Sequence, residues 1–189
     1  MSLRYLENSF SWENLLKNIS EKISENSFHF QDLKNKAYSK TSKTYDYALL
    51  ASIIEQELDE VAEYMPGTQK PEYINEINEI YYSSMQKGIH ASRLKICISN
   101  MLRDIQYRDS MKDELDQIKK TRKNIACIIT TNYDNLIEDV FRFNPLIGNN
   151  ILLSNPYGSV YKIHGSVEDH NSIVITSEDY KEFNTKYDL

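Results

Sequence analysis

The stretch NIACIITTNYDNLIEDVFRF, Asn124 to Phe143, constrains the fold most. It opens as a short isoleucine-rich run, which reads as a buried strand over Ile125–Thr130. Polar residues then intervene, and an amphipathic helix is expected from about Tyr133 to Phe143. VYKIHG predicts a second strand over Val160–Ile163, after a turn at NPYGS, and NSIVIT predicts a third. SEDYKEF opens a short helix with Ser177 as N-cap. Strand, helix and strand at this spacing form a βαβ unit, so the first two strands should run parallel.

Before Asn124 the periodicity is helical. Trp12, Leu15, Leu16, Ile19 and Ile23 share a face, as do Leu50, Ile54, Leu58, Val61 and Met65. The second of these helices should stop near Pro66-Gly67. Pro71 suits the first position of the next helix and Gly88 its end, with Ile74, Ile77 and Tyr81 between. Leu94, Ile98, Met101, Leu102 and Ile105 predict another helix, and Leu115 with Ile118 a more polar last one. The polar segment from Ser39 to Thr44 is expected to be mobile. The expected class is therefore α/β, in one domain: a mainly helical portion over residues 1–121 and a strand-helix-strand portion over residues 122–189.

The net charge of -6 weighs against nucleic acid or an anionic membrane as partner. The basic run Lys119, Lys120, Arg122, Lys123 reads as the solvated end of a helix, where cations suit the negative dipole end. Cys97 and Cys127 lie in apolar patterns without metal or redox spacing, and fit small buried residues in a reducing compartment. No metal is expected. No window is long and apolar enough to span a membrane and the N-terminus has no signal pattern, so the expected location is the cytoplasm.

If the two strands are parallel, Thr130-Thr131-Asn132 and His164-Gly165-Ser166 lie at the same edge of the sheet, where open α/β sheets bind ligands. Each cluster alone has a plainer explanation. Thr131 to Asp134 fits a capping box, and Asn132 or Asp134 could cap the helix alone. His164-Gly165 fits a turn with a hydrogen-bonded histidine. Their convergence favours a site. His29, His90 and His170 have no such company and read as structural or solvated.

IITTNYDNLIE followed by VYKIHGSVEDHNSIVITSEDY closely resembles the sirtuin-like (silent-information-regulator type) domain of bacterial anti-phage defence proteins. FSWENLLKNI is similar to that family's segment after its Gly-rich first loop. The resemblance is strong from Ile125 to Tyr180 and only topological through the helices between. It implies a Rossmann-like parallel sheet with a large helical insertion, and NAD as the substrate of a glycohydrolase. Asn132 then resembles the catalytic asparagine and His164 the catalytic histidine. Thr131, Asp134, Gly165 and Ser166 would line the NAD pocket. Asp134 matches the aspartate that meets the nicotinamide amide, while Thr131 stands where sirtuins have glutamine. A carboxylate pair, Asp134 with Glu168 or Asp169, is a competing arrangement for glycosidic cleavage.

The departures are as informative. None of Gly67, Gly88, Gly148, Gly158 and Gly165 forms the family's Gly-rich phosphate loop, nor is its last Gly-x-Ser strand present. The expectation is thus a truncated sheet that binds NAD poorly and exposes a strand edge, and hence self-association or a partner protein. The alternative is a non-enzymatic remnant serving as an interaction module.

Overall fold

The structure, a computed structural model, describes residues 2–7, 10–24, 26, 28–64, 72–103, 106–148 and 157–187. In chain order its elements are α1 (Ser2–Tyr5), α2 (Trp12–Ile23), α3 (His29–Lys36), β1 (Tyr38–Ser39), β2 (Thr44–Tyr45), α4 (Tyr47–Tyr64), α5 (Glu72–Gln86), α6 (Arg93–Arg103), α7 (Lys112–Lys120), β3 (Cys127–Thr130), α8 (Leu136–Phe141), β4 (Asn144–Ile147), β5 (Ser159–Lys162) and α9 (Ser177–Tyr187). This is the expected α/β class, a large helical portion with a small parallel sheet. Pro66-Gly67, Pro71, Met65, Ile105 and the first residues of the NPYGS turn lie outside the described residues.

The chain divides into two compact units, Phe10–Cys97 with Val174–Leu189, and Met1–Ser9 with Ile98–Ile173. In the first, α4 is the hub and packs against α2, α3, α5 and α9. Leu50, Ile54 and Leu58, spaced by one helical turn, are wholly buried, as are Leu16 and Ile19 of α2. Side chains satisfy the orphan amides at the helix starts: Ser11 Oγ accepts from Asn14 N at 3.2 Å, and Asp46 Oδ1 from Leu49 N at 2.9 Å. Gly88, at φ +72, lies just past the end of α5.

Two segments take forms that the sequence did not predict. The segment Ser39 to Thr44 closes an antiparallel hairpin, pairing Tyr38 with Tyr45 and Ser39 with Thr44. Lys43 turns the chain at φ +55, and the Tyr38 and Tyr45 rings meet edge to face at 5.2 Å. NSIVIT forms no strand. His170–Ser172 is a 3-10 turn, and Ile175 N and Thr176 N both donate to Asp179 Oδ2 at 3.0 Å. Those amides are satisfied by a carboxylate instead of a neighbouring strand. Thr176 Oγ1 in turn accepts from Asp179 N at 3.2 Å, so Thr176 and not Ser177 supplies the capping box of α9.

The second unit holds the sheet, in the order β3-β5-β4. β3 and β5 are parallel, from Cys127 opposite Ser159 to Thr130 opposite Lys162. β4 runs parallel on the other side of β5, from Asn144 opposite Ser159 to Ile147 opposite Lys162. It was not expected: α8 leads first to β4 at the far edge, and β5 returns between them. Pro145 suits such an edge strand, because its missing N–H need face no neighbour. One sheet face is covered. Val160, Leu136, Val140 and Phe141 form a core there with Leu115, Tyr5 and Leu6, and Ile128 packs against it. Ile129 points the other way and is 68% exposed, so β3 is not the fully buried strand expected. α8 is also shorter than expected, and Arg142 closes it at φ +53. Arg122 Nε donates to Phe141 O at 2.5 Å, which gives one member of the basic run a capping role.

Candidate active site

The last residue pair of the β3–β5 ladder is Thr130 opposite Lys162. Asn132 and His164 each follow two residues later, so the register sets both at the carboxyl edge of neighbouring parallel strands. Main-chain bonds continue across the gap. Ile163 N donates to Thr130 O at 3.1 Å and Val167 N to Tyr133 O at 3.0 Å. Asn135 Nδ2 donates to Glu168 Oε1 at 2.7 Å. The two loops are therefore one stitched structure.

Within the first loop the expected capping box does not form. Thr130 Oγ1 accepts from Asn132 N, and Asp134 Oδ1 from Leu136 N, both at 3.1 Å. These are turns that each span two residues. The helix starts only at Leu136 because the carbonyls of Tyr133 and Asp134 face the ammonium of Lys162, at 3.0 and 2.7 Å. Neither Asn132 nor Thr131 caps α8. Thr131 is exposed, and Asn132 and Asp134 are half-buried.

In the second loop Gly165 is at φ +91, and a Cβ there would lie 2.2 Å from Ser172 O. Only glycine fits. Ser166 is buried, its N–H donates to Ser172 Oγ at 3.0 Å, and its Oγ accepts from Glu168 N at 3.4 Å. Gly165 and Ser166 thus have structural work in shaping the turn. Glu168 and Asp169 are exposed; Glu168 Oε1 accepts from Asn135 of the first loop, and Asp169 Oδ1 accepts from Asn171 N of its own loop at 3.2 Å. Among the described residues no three His, Cys, Asp or Glu side chains gather as metal ligands. No helix there is long and apolar enough to cross a membrane.

Residues 126–189 match a family model for a SIR2-like domain. The match covers about a third of the chain and includes both loops. No curated protein matches the chain. The SIR2-like segment contains every candidate site residue, and also one that the sequence reading passed over: Lys162, buried at the end of the central strand. A charged residue inside VYKI was the available signal. Its partners lie 24 to 29 positions upstream and could not be read from spacing.

Burial holds the His164 imidazole below its ordinary pKa of 6.5. The unfolded chain therefore takes up this proton more readily than the folded one. The group's contribution to stability is complete above the unfolded value and declines as pH falls through it towards the lower folded value. As pH falls below 6.5, urea unfolding of the wild-type chain should lose stability more steeply than His164→Gln does. Parallel pH slopes would mean that the histidine is not desolvated.

Proposed function

We propose that the SIR2-like segment is the catalytic part of an NAD glycohydrolase of the bacterial anti-phage defence type, acting in the cytoplasm. The observation that carries this reading is the placing of Asn132 and His164, each two residues beyond the last paired position of adjacent parallel strands. The substrate is NAD, and the bond broken joins nicotinamide to its ribose.

The chemistry follows from the residue types. Cleavage passes through an oxocarbenium-like state at the ribose C1′. The leaving pyridinium nitrogen takes the bonding electron pair and departs as neutral nicotinamide, so no acid is needed on that side. Water attacks C1′ and gives up a proton, leaving ADP-ribose. The Asn132 amide positions the ribose hydroxyls and water without titrating, and neutral His164 accepts the proton. The depressed pKa of His164 keeps it a free base at neutral pH. Asp134 and Thr131 face the nicotinamide amide, and Gly165-Ser166 shape the floor. This arrangement asks nothing of a metal.

The test is nicotinamide release from NAD, measured for the 189-residue chain beside a version extended at both ends. Release by neither would refute the reading. The five glycines of the chain are not spaced in the sequence as a Gly-rich loop, and pyrophosphate orientation draws on the backbone donors of such a loop. The 189-residue chain should therefore bind NAD only weakly in calorimetry and turn it over slowly. Micromolar binding with rapid turnover would show that the site needs no Gly-rich loop.

The exposed Ile129 on β3 favours a second reading, a non-enzymatic module that docks a partner or another copy at this sheet. It predicts concentration-dependent association in sedimentation, together with no nicotinamide release from either version.

A further inference from the structure

Lys162 is unusual in its setting. It shares the covered face of β5 with Val160, two residues away, and its side chain is wholly buried. Its Nζ donates to Tyr133 O at 3.0 Å, Asp134 O at 2.7 Å and Glu138 Oε1 at 2.6 Å, and Asn135 Oδ1 lies at 3.4 Å. Four groups from four positions of one loop and the helix after it converge on one ammonium. Two of them are main-chain carbonyls of the residues that directly follow Asn132.

We infer that Lys162 is a positioning residue: its buried ammonium clamps the Tyr133–Asp134 backbone so that the Asn132 amide is held against the His164 loop. The inference rests on the reading of Asn132 and His164 as the catalytic pair. An ion pair with Glu138 is a poor reason to bury a lysine, since desolvation of two charges returns little net stability. The pair is not even fully satisfied, because Glu138 Oε2 is buried and has no hydrogen-bond partner among the described residues. Three directed donors are what an apolar side chain could not supply here. Tyr133 O accepts from both Lys162 Nζ and Val167 N, so the same carbonyl couples the clamp to the loop carrying His164. The strand that presents His164 thus also sets the position of Asn132. Lys162 touches neither substrate nor reacting atoms in this scheme; it acts through the backbone that bears Asn132.

The decisive variant is the double substitution Lys162→Met with Glu138→Met. Lys162→Met alone strands a buried carboxylate and is expected to unfold easily. The double variant removes both charges at similar volume. A purely structural ion pair would leave it well behaved in every readout. A clamp predicts a near-parental urea midpoint, yet a kcat lower by about 100-fold with KM changed far less, since misplacing a catalytic group costs turnover more than binding. Amide hydrogen exchange on the same protein should show faster exchange at Val167 and Leu136, whose amides bond within the clamped loops. The kinetic arm uses whichever version of the protein releases nicotinamide. If none does, the proposed function fails, while the exchange arm still decides the clamp. Unchanged exchange, unchanged kcat, or global unfolding of the double variant would each overturn the positioning role.

Discussion

Asn132→Ala is expected to lower nicotinamide release by about 100-fold or more, and His164→Ala by roughly 100- to 10,000-fold, the ranges for losing a positioning group and a general base. The prediction applies to whichever version of the protein releases nicotinamide. Both residues sit beyond the ladder, half-buried, and not in the core. Truncation opens no large cavity, so the unfolding free energy from urea titration should change by no more than about 1 kcal/mol. Asn132 donates its backbone N–H to Thr130 Oγ1, and that bond survives loss of the side chain. Near-normal release by both variants would defeat the catalytic assignment. Loss of release with loss of folding would instead make them structural. His164→Ala should also remove the histidine's share of the acid-side loss of stability, which Asn132→Ala should leave intact.

What could be read in advance follows from where each signal is local. The α4 face of Leu50, Ile54 and Leu58 repeats at one helical turn, and no other element can use that spacing. β3 is an isoleucine run and VYKI around β5 is apolar but for its lysine, each followed by polar residues, so their parallel pairing and shared edge were legible. β4 was not, because Asn144-Pro145-Leu146-Ile147, as long as β3 and β5, opens on Asn and Pro, lacks a strand's composition and owes its pairing to β5. The reverse error occurred at NSIVIT. Ile173 and Ile175 are buried as alternation demands, but alternation cannot say whether a strand or the Asp179 carboxylate will satisfy the amides. At the site, Asn132 and His164 were visible by position. Lys162 was not, since its role depends on Tyr133, Asp134 and Glu138 reaching it across the sheet face. The resemblance carried the chemistry, and the register carried the convergence.

Gly165→Ala should be the most damaging single-methyl substitution in the second unit. Two costs add. A non-glycine residue at φ +91 is strained by about 1–3 kcal/mol. The new Cβ would also lie 2.2 Å from Ser172 O, 2.3 Å from Ser172 C and 2.7 Å from Ile173 N. Those are backbone atoms, and they cannot swing away as a side chain can. Ser172 is itself fixed, its Oγ donating to Asp169 O at 2.6 Å and accepting from Ser166 N at 3.0 Å. Relief must come from moving the turn that presents His164. Gly158→Ala is the matched control in the same unit, because Gly158 also has positive φ, +75, but among the described residues beyond its chain neighbours no atom lies within 4 Å of the added methyl. The control should cost roughly 1–2 kcal/mol from strain alone. Gly165→Ala should exceed it by at least about 2 kcal/mol, in the range that marks a steric fault and not a lost contact. Whatever protein remains folded should have lost nicotinamide release, since a shift of about 1 Å at the histidine is enough to cost 100-fold. Equal unfolding midpoints for the two variants would show that the Gly165 turn yields easily, and that the glycine is kept for close approach of a ligand and not for the packing of Ser172.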